Sequence, residues 1–110
     1  MSTIITNWNR IELEAYILIF CANADFVEME VEKNFILSHI DKASYDKMHA
    51  EFDVDNDYER IQKIMSTFSR LDINGPERNA LIIELKELMM ADGKLDPLEE
   101  NMFRLLKRLV

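Results

Sequence analysis

Two glycines and two prolines are the only strong chain breakers in 110 residues. So few turn formers argue against the many short strands of a sandwich or barrel, and for a small number of helices. A single cysteine, Cys21, excludes an intramolecular disulfide and suits a reducing compartment. The most apolar run, Ala15–Ala22, is eight residues long, against the roughly 20 that a bilayer requires, so no membrane span is expected. Residues 1–10 carry no basic segment followed by an apolar stretch and a small-residue cleavage site, so no secretory leader is expected. The expectation is a soluble, cytoplasmic protein. The chain also has no G-x-S-x-G, no Walker sequence and no glycine-rich phosphate cradle, the motifs that would mark a nucleophile elbow or a nucleotide site.

What is present is a foldable helical composition. Apolar residues make up 48% of the chain and charged residues 31%, enough burial capacity for one domain over residues 1–110 and too short a chain for two ordinary ones. The net charge of −8 is unevenly spread. Residues 1–57 hold twelve acids and four Lys/Arg, whereas residues 58–110 hold nine of each. An acidic half of this kind repels nucleic-acid phosphates and anionic lipid, and attracts cations or a basic protein partner. The basic end around Arg104, Lys107 and Arg108 suits a helix C-terminus, where cations oppose the macrodipole.

The aliphatic residues recur at helical spacing, which predicts six helices. The first spans about Arg10 to Asn23, with Asn9 and Glu12 as a capping box and Leu13, Tyr16, Ile17 and Phe20 as its apolar stripe. The second spans about Met29 to Ile40, with Val31, Phe35, Ile36 and Ile40 facing inward. A short third runs from near Ser44 to near Phe52. A fourth runs from about Asp57 to Phe68 on Ile61, Ile64, Met65 and Phe68. After the break at "DINGPE", a fifth runs from about Pro76 to Met90 on Leu81, Leu85 and Leu88, with Asn74 as its cap. The sixth starts at Pro97, where Asp96 caps, Pro97 occupies a position that needs no N–H, and Glu99 completes a capping box.

Residues 21–36 slide onto 88–103 without a gap. Ala24 falls on Ala91, Asp25 on Asp92, Glu32 on Glu99 and Asn34 on Asn101, with apolar residues matched around them. The pattern implies a duplicated helix–loop–helix unit, so the expected fold is an all-α bundle of about six helices built from two pseudo-symmetric units. The stretch "MADGKLDPLEE" resembles the signature of the tellurite-resistance TerB-like family: an apolar helix ending in Ala-Asp-Gly, a short loop, and a Glu early in the next helix. Ala91, Asp92, Gly93 and Glu99 match in register. The first copy keeps Asp25 and Glu32 but has Phe26 at the glycine position. The resemblance covers residues 9–110. It implies a non-enzymatic, pseudo-symmetric helical module associated with tellurite or other chemical stress, whose acidic loop residues bind divalent cations.

The residues themselves admit two readings of Asp25, Glu32, Asp92 and Glu99. A loop Asp beside a first-turn Glu supplies the oxygen ligands that a hard cation such as Ca²⁺ or Mg²⁺ requires. The same residues serve as helix caps, the commoner use of such acids. A hydrolytic metal site is a third arrangement, and it requires all four carboxylates to converge in one cleft. "DVDNDYE" carries Asp53, Asp55 and Asp57 at the first, third and fifth places of a calcium loop, but Tyr58 stands where glycine is needed and Ile64 where the bidentate Glu belongs. A solvated carboxylate cluster is the better reading there. Asp46, His49 and Asp53 share a helical face, read as a solvated polar face in preference to a zinc site. His39 reads as partly buried, Cys21 as a core thiol, and the seven methionines mainly as core fillers. The alternative function is a metal-independent adaptor whose acidic half meets a basic partner.

Overall fold

The computed structural model describes residues 5–23 and 30–92, leaving aside the side chains at 31, 32, 35 and 88–92. Among these residues the chain is all-helical, with no strand. Five helices follow in order: α1 (Arg10–Ala22), α2 (Glu30–His39), α3 (Lys42–Val54), α4 (Asp57–Arg70) and α5 (Gly75–Asp92). The starts of α1, α3, α4 and α5 fall within two residues of their expected positions, and the expected start of α2 near Met29 lies outside the described residues. The sixth helix expected from Pro97 lies outside the described residues.

The helix starts follow from local chemistry. Asn9 Oδ1 accepts from the Glu12 amide at 2.8 Å, and Glu12 Oε1 accepts from the Asn9 amide at 2.9 Å. Asn56 and Glu59 repeat this reciprocal pair at the start of α4. Asp41 caps α3 through the Ser44 amide at 2.9 Å, and Asn74 caps α5 through the Glu77 amide at 2.9 Å. Each cap satisfies donors that the first helical turn leaves without an intrahelical partner.

The centre of the fold is α1. Leu13 and every residue from Ala15 to Ala22 are buried, so the helix is enclosed on all sides and not along one stripe. An element that is apolar all round must be wrapped by others, and α1 packs against α2, α3 and α4, most extensively against α3. Around it stand Ile36 and Ile40 from α2, Tyr45, Met48 and Phe52 from α3, Ile64 and Phe68 from α4, and Leu81, Ile82 and Leu85 from α5. Cys21 is a buried core thiol, as expected. His39 is exposed, contrary to the reading of a partly buried ring. The inward residues of α2 are Ile36 and Ile40, with Leu37 beside them, and successive 100° steps carry position 39 to the flank of that face.

The break between α4 and α5 falls at "DINGPE", as expected, and its first residue makes the turn. Asp72 adopts φ 57°, the left-handed conformation that glycine usually supplies. Its amide donates to Ser69 O at 3.1 Å and the Ile73 amide to Phe68 O at 3.0 Å, the paired bonds of a Schellman cap. Ile73 then turns into the core close to Phe68. Gly75 instead begins α5 and has open space where a Cβ would project.

Candidate functional site

The four loop carboxylates singled out by the repeat are only partly within the described residues. Glu32 lies in α2 and Asp92 is the last described residue of α5, both as backbone positions. Asp25 and Glu99 lie outside the described residues, and so does any convergence of the four.

Other acids of the N-terminal half turn inward. Tyr16 Oη donates to Asp55 Oδ2 at 2.7 Å. Lys63 Nζ lies 2.9 Å from Asp55 Oδ1 and 2.9 Å from Glu51 Oε2. Trp8 Nε1 donates to Glu51 Oε2 at 3.1 Å. This node ties the N-terminal segment, α1, α3 and α4 to one another. Burial, followed by the bond to the Asp55 carboxylate, pushes the Tyr16 phenol well above its ordinary range. Burial opposes the charge on Lys63, but its bonds to Asp55 and Glu51 outweigh that and raise it. The phenol is thereby held as a donor and the amine as a cation, so neither is a ready nucleophile or base at neutral pH. Two further bonds strap the N-terminal segment across α4: Thr6 to the Thr67 hydroxyl, and Arg70 to the Trp8 carbonyl.

Glu12 shows the same inward use of charge. Its carboxylate meets Lys47 Nζ at 2.6 Å, and that hydrogen bond, with the Asn9 amide, holds it below the usual carboxylate range. Glu14 moves the other way, because burial outweighs its exposed partner Arg10 and Glu84 adds like charge.

The Asp53–Glu59 stretch is divided among three structural roles. Asp53 lies in the last turn of α3 and meets His49. Asp55 is the buried C-cap of that helix. Asp57 opens α4 and pairs with Arg60 at 3.1 Å. Arg60 also donates to Phe52 O at 2.9 Å and lies 3.7 Å over the Phe52 ring, clamping the corner between the two helices. The pattern is a helix–helix corner and not a calcium loop. Arg60 and Lys63 were not singled out from sequence; their partners lie on other elements, and no fixed spacing announces them.

The outer face of α3 carries an open depression of about 300 Å³. Tyr45, Asp46, His49, Ala50 and Asp53 line it from α3, and Lys33 lines it from α2. The Tyr45 and His49 rings stand 5.4 Å apart, tilted by 44°. His49 Nδ1 lies 3.1 Å from Asp53 Oδ2, while Asp46 Oδ2 meets Lys42 Nζ at 2.6 Å. Asp46, His49 and Asp53 therefore share a face, as their spacing predicted. Among the described residues, no three His, Cys, Asp or Glu side chains form a group able to hold a metal ion.

No protein-family model, no curated protein and no solved structure matches the chain. Its chemistry is therefore read from the residues. The interior charges lock helices together, and the α3 depression combines carboxylates with aromatic rings. No helix among the described residues is long and apolar enough to cross a membrane.

Proposed function

We propose that the chain is a non-enzymatic, cytoplasmic acidic module that acts as an adaptor, its N-terminal half engaging a basic protein partner. One observation carries this reading. The whole net charge of −8 resides in residues 1–57, and Asp41, Asp46, Asp53 and Asp57 of that half are exposed while Glu12 and Asp55 are turned inward against lysines. Exposed carboxylates of one sign steer an oppositely charged surface and make association sensitive to salt. The test is fluorescence anisotropy with a labelled deca-lysine peptide across a salt series, with and without EDTA. Saturable binding that weakens with salt and ignores EDTA supports the adaptor. Binding that requires a divalent metal sinks it.

A second reading keeps the TerB-like resemblance as mechanism. The chain is then a stress-related module of two pseudo-symmetric helix–loop–helix units, binding Ca²⁺ or Mg²⁺ through Asp25, Glu32, Asp92 and Glu99. Its support is the gapless repeat. A titration of metal-free protein with Ca²⁺, Mg²⁺, Mn²⁺ and Zn²⁺, followed by backbone amide NMR, separates the two. Saturable shifts confined to residues 25–32 and 92–99, and lost in Asp92→Asn, establish cation sites. An absence of shifts leaves those residues as caps.

A further inference from the structure

We propose that Asn74–Gly75 is a site of spontaneous covalent modification, where the Asn74 amide is lost through a succinimide and a carboxylate appears at the start of α5. The backbone nitrogen of the residue after an asparagine can attack the asparagine Cγ, and a side chain on that following residue crowds the attack. Of the chain's asparagines, Asn74 alone is followed by glycine, which brings no Cβ. Asn74 is exposed, so water reaches it. Gly75 is the first residue of α5, a position whose N–H has no intrahelical acceptor, and among the described residues none accepts from it. Nothing lies within 4 Å of where a Gly75 Cβ would stand, so no neighbour crowds the nitrogen either.

The Gly75 nitrogen gives its proton to hydroxide or a buffer base and bonds to Asn74 Cγ. The Cγ–Nδ2 bond breaks, and the amide nitrogen takes a proton from solvent and leaves as ammonia. Water then opens the ring, its hydroxyl going to a carbonyl carbon and its proton to the ring nitrogen. Opening at Cγ gives aspartate; opening at the backbone carbonyl of residue 74 gives isoaspartate, whose main chain runs through the former side chain. Glu77 sets the pace. Asn74 Oδ1 accepts from the Glu77 amide at 2.9 Å, and Asn74 Nδ2 donates to Glu77 Oε1 at 2.8 Å. These bonds hold the side chain on the first turn of α5, and the attack requires it to leave. The two products differ in their effect on the helix. Aspartate caps as well as asparagine, but sets its carboxylate against that of Glu77. Isoaspartate adds a methylene to the main chain and displaces the carbonyl that accepts from the Arg78 amide at 2.8 Å. It thereby loosens the start of a helix whose Leu81, Ile82 and Leu85 are in the core.

The experiment is a time course of the folded, full-length chain in mildly alkaline buffer, read by peptide mapping and tandem mass spectrometry. Asn56 is the internal control. It too is an exposed cap with a glutamate three residues on, but it precedes Asp57 and its side chain. Conversion of amide to acid at residue 74, well ahead of residue 56, is expected. Gly75→Ala, for which there is room and which favours a helix, is expected to reduce conversion at residue 74 to the level of Asn56. Glu77→Ala keeps the amide that bonds Asn74 Oδ1 but frees Nδ2, and is expected to hasten conversion; circular dichroism checks that both variants are folded. Equal persistence of the Asn74 and Asn56 amides overturns the proposal, and so does conversion at residue 74 that Gly75→Ala leaves unchanged. An unchanged rate in Glu77→Ala overturns the pacing role of Glu77.

Discussion

Replacing Lys63 by methionine tests whether the interior charge node holds the fold together. Among the described residues Lys63 is the only cation bonded to Asp55, whose side chain is 5% exposed, whereas Glu51 is 28% exposed and also has the Trp8 indole. Methionine preserves most of the aliphatic stem and removes the ammonium. Breaking a buried pair while one charge stays behind costs about 3–5 kcal/mol. Lys63 retains 18% exposure, and Glu51 can turn to water, so the loss falls at or just below the bottom of that range, about 2–3 kcal/mol. Urea unfolding at neutral pH is the assay. It can be followed by Trp8, the sole tryptophan, and by far-UV circular dichroism. Adding Asp55→Asn to Lys63→Met removes the stranded charge and should recover part of the loss, with a coupling of about 1–3 kcal/mol in the double-mutant cycle. A loss below about 1 kcal/mol would put the node in the class of surface ion pairs and refute the reasoning.

Three further outcomes follow from the same structure. Tyr16 and Lys63 both have raised folded values, so their stabilisation is fully present below the ordinary values of 10.0 and 10.5 and is lost as pH rises beyond them. The alkaline limb of a stability–pH curve should therefore fall, by at most about 1.4 kcal/mol per pH unit for each group, and Tyr16→Phe should make it shallower. Glu12 is shifted downward, so its stabilisation is present above the ordinary 4.5 and is lost as pH falls through the lower folded value; Glu12→Gln should flatten the acid limb, measured by thermal unfolding between neutral pH and the acid transition. Asp72→Gly relieves a left-handed aspartate but loosens the unfolded chain, for a net gain of about 0.5–1 kcal/mol in chemical denaturation; a loss would mean that the Asp72 side chain contributes more than its backbone strain costs.

The helices were legible because their signals are local. Asn9 with Glu12 and Asn74 ahead of α5 announce starts within four residues, and Ile61, Ile64, Met65 and Phe68 announce a buried face within two turns. The full enclosure of α1 was also written in Ala15–Ala22, which is apolar on every side, though only one stripe of it was read as inward. The break was legible at "DINGPE", which begins with Asp72, but the left-handed turn there was not, because a lone aspartate gives no such notice. The node of Trp8, Tyr16, Glu51, Asp55 and Lys63 joins residues as far as 43 apart in sequence, and pairing across that distance leaves no periodicity. The shape of the α3 face followed from spacing alone, but its wall from Lys33 required the packing of α2 on α3.

The enclosure of α1 has a consequence for biosynthesis. The most apolar helix precedes in the chain the α3 and α4 surfaces that cover it, so it leaves the ribosome before they exist. Until those later helices emerge, its greasy surface is open to self-association or to a chaperone. A ribosome stalled before α4 should thus hold a chain that recruits chaperones, and one stalled after α4 a chain that does so far less.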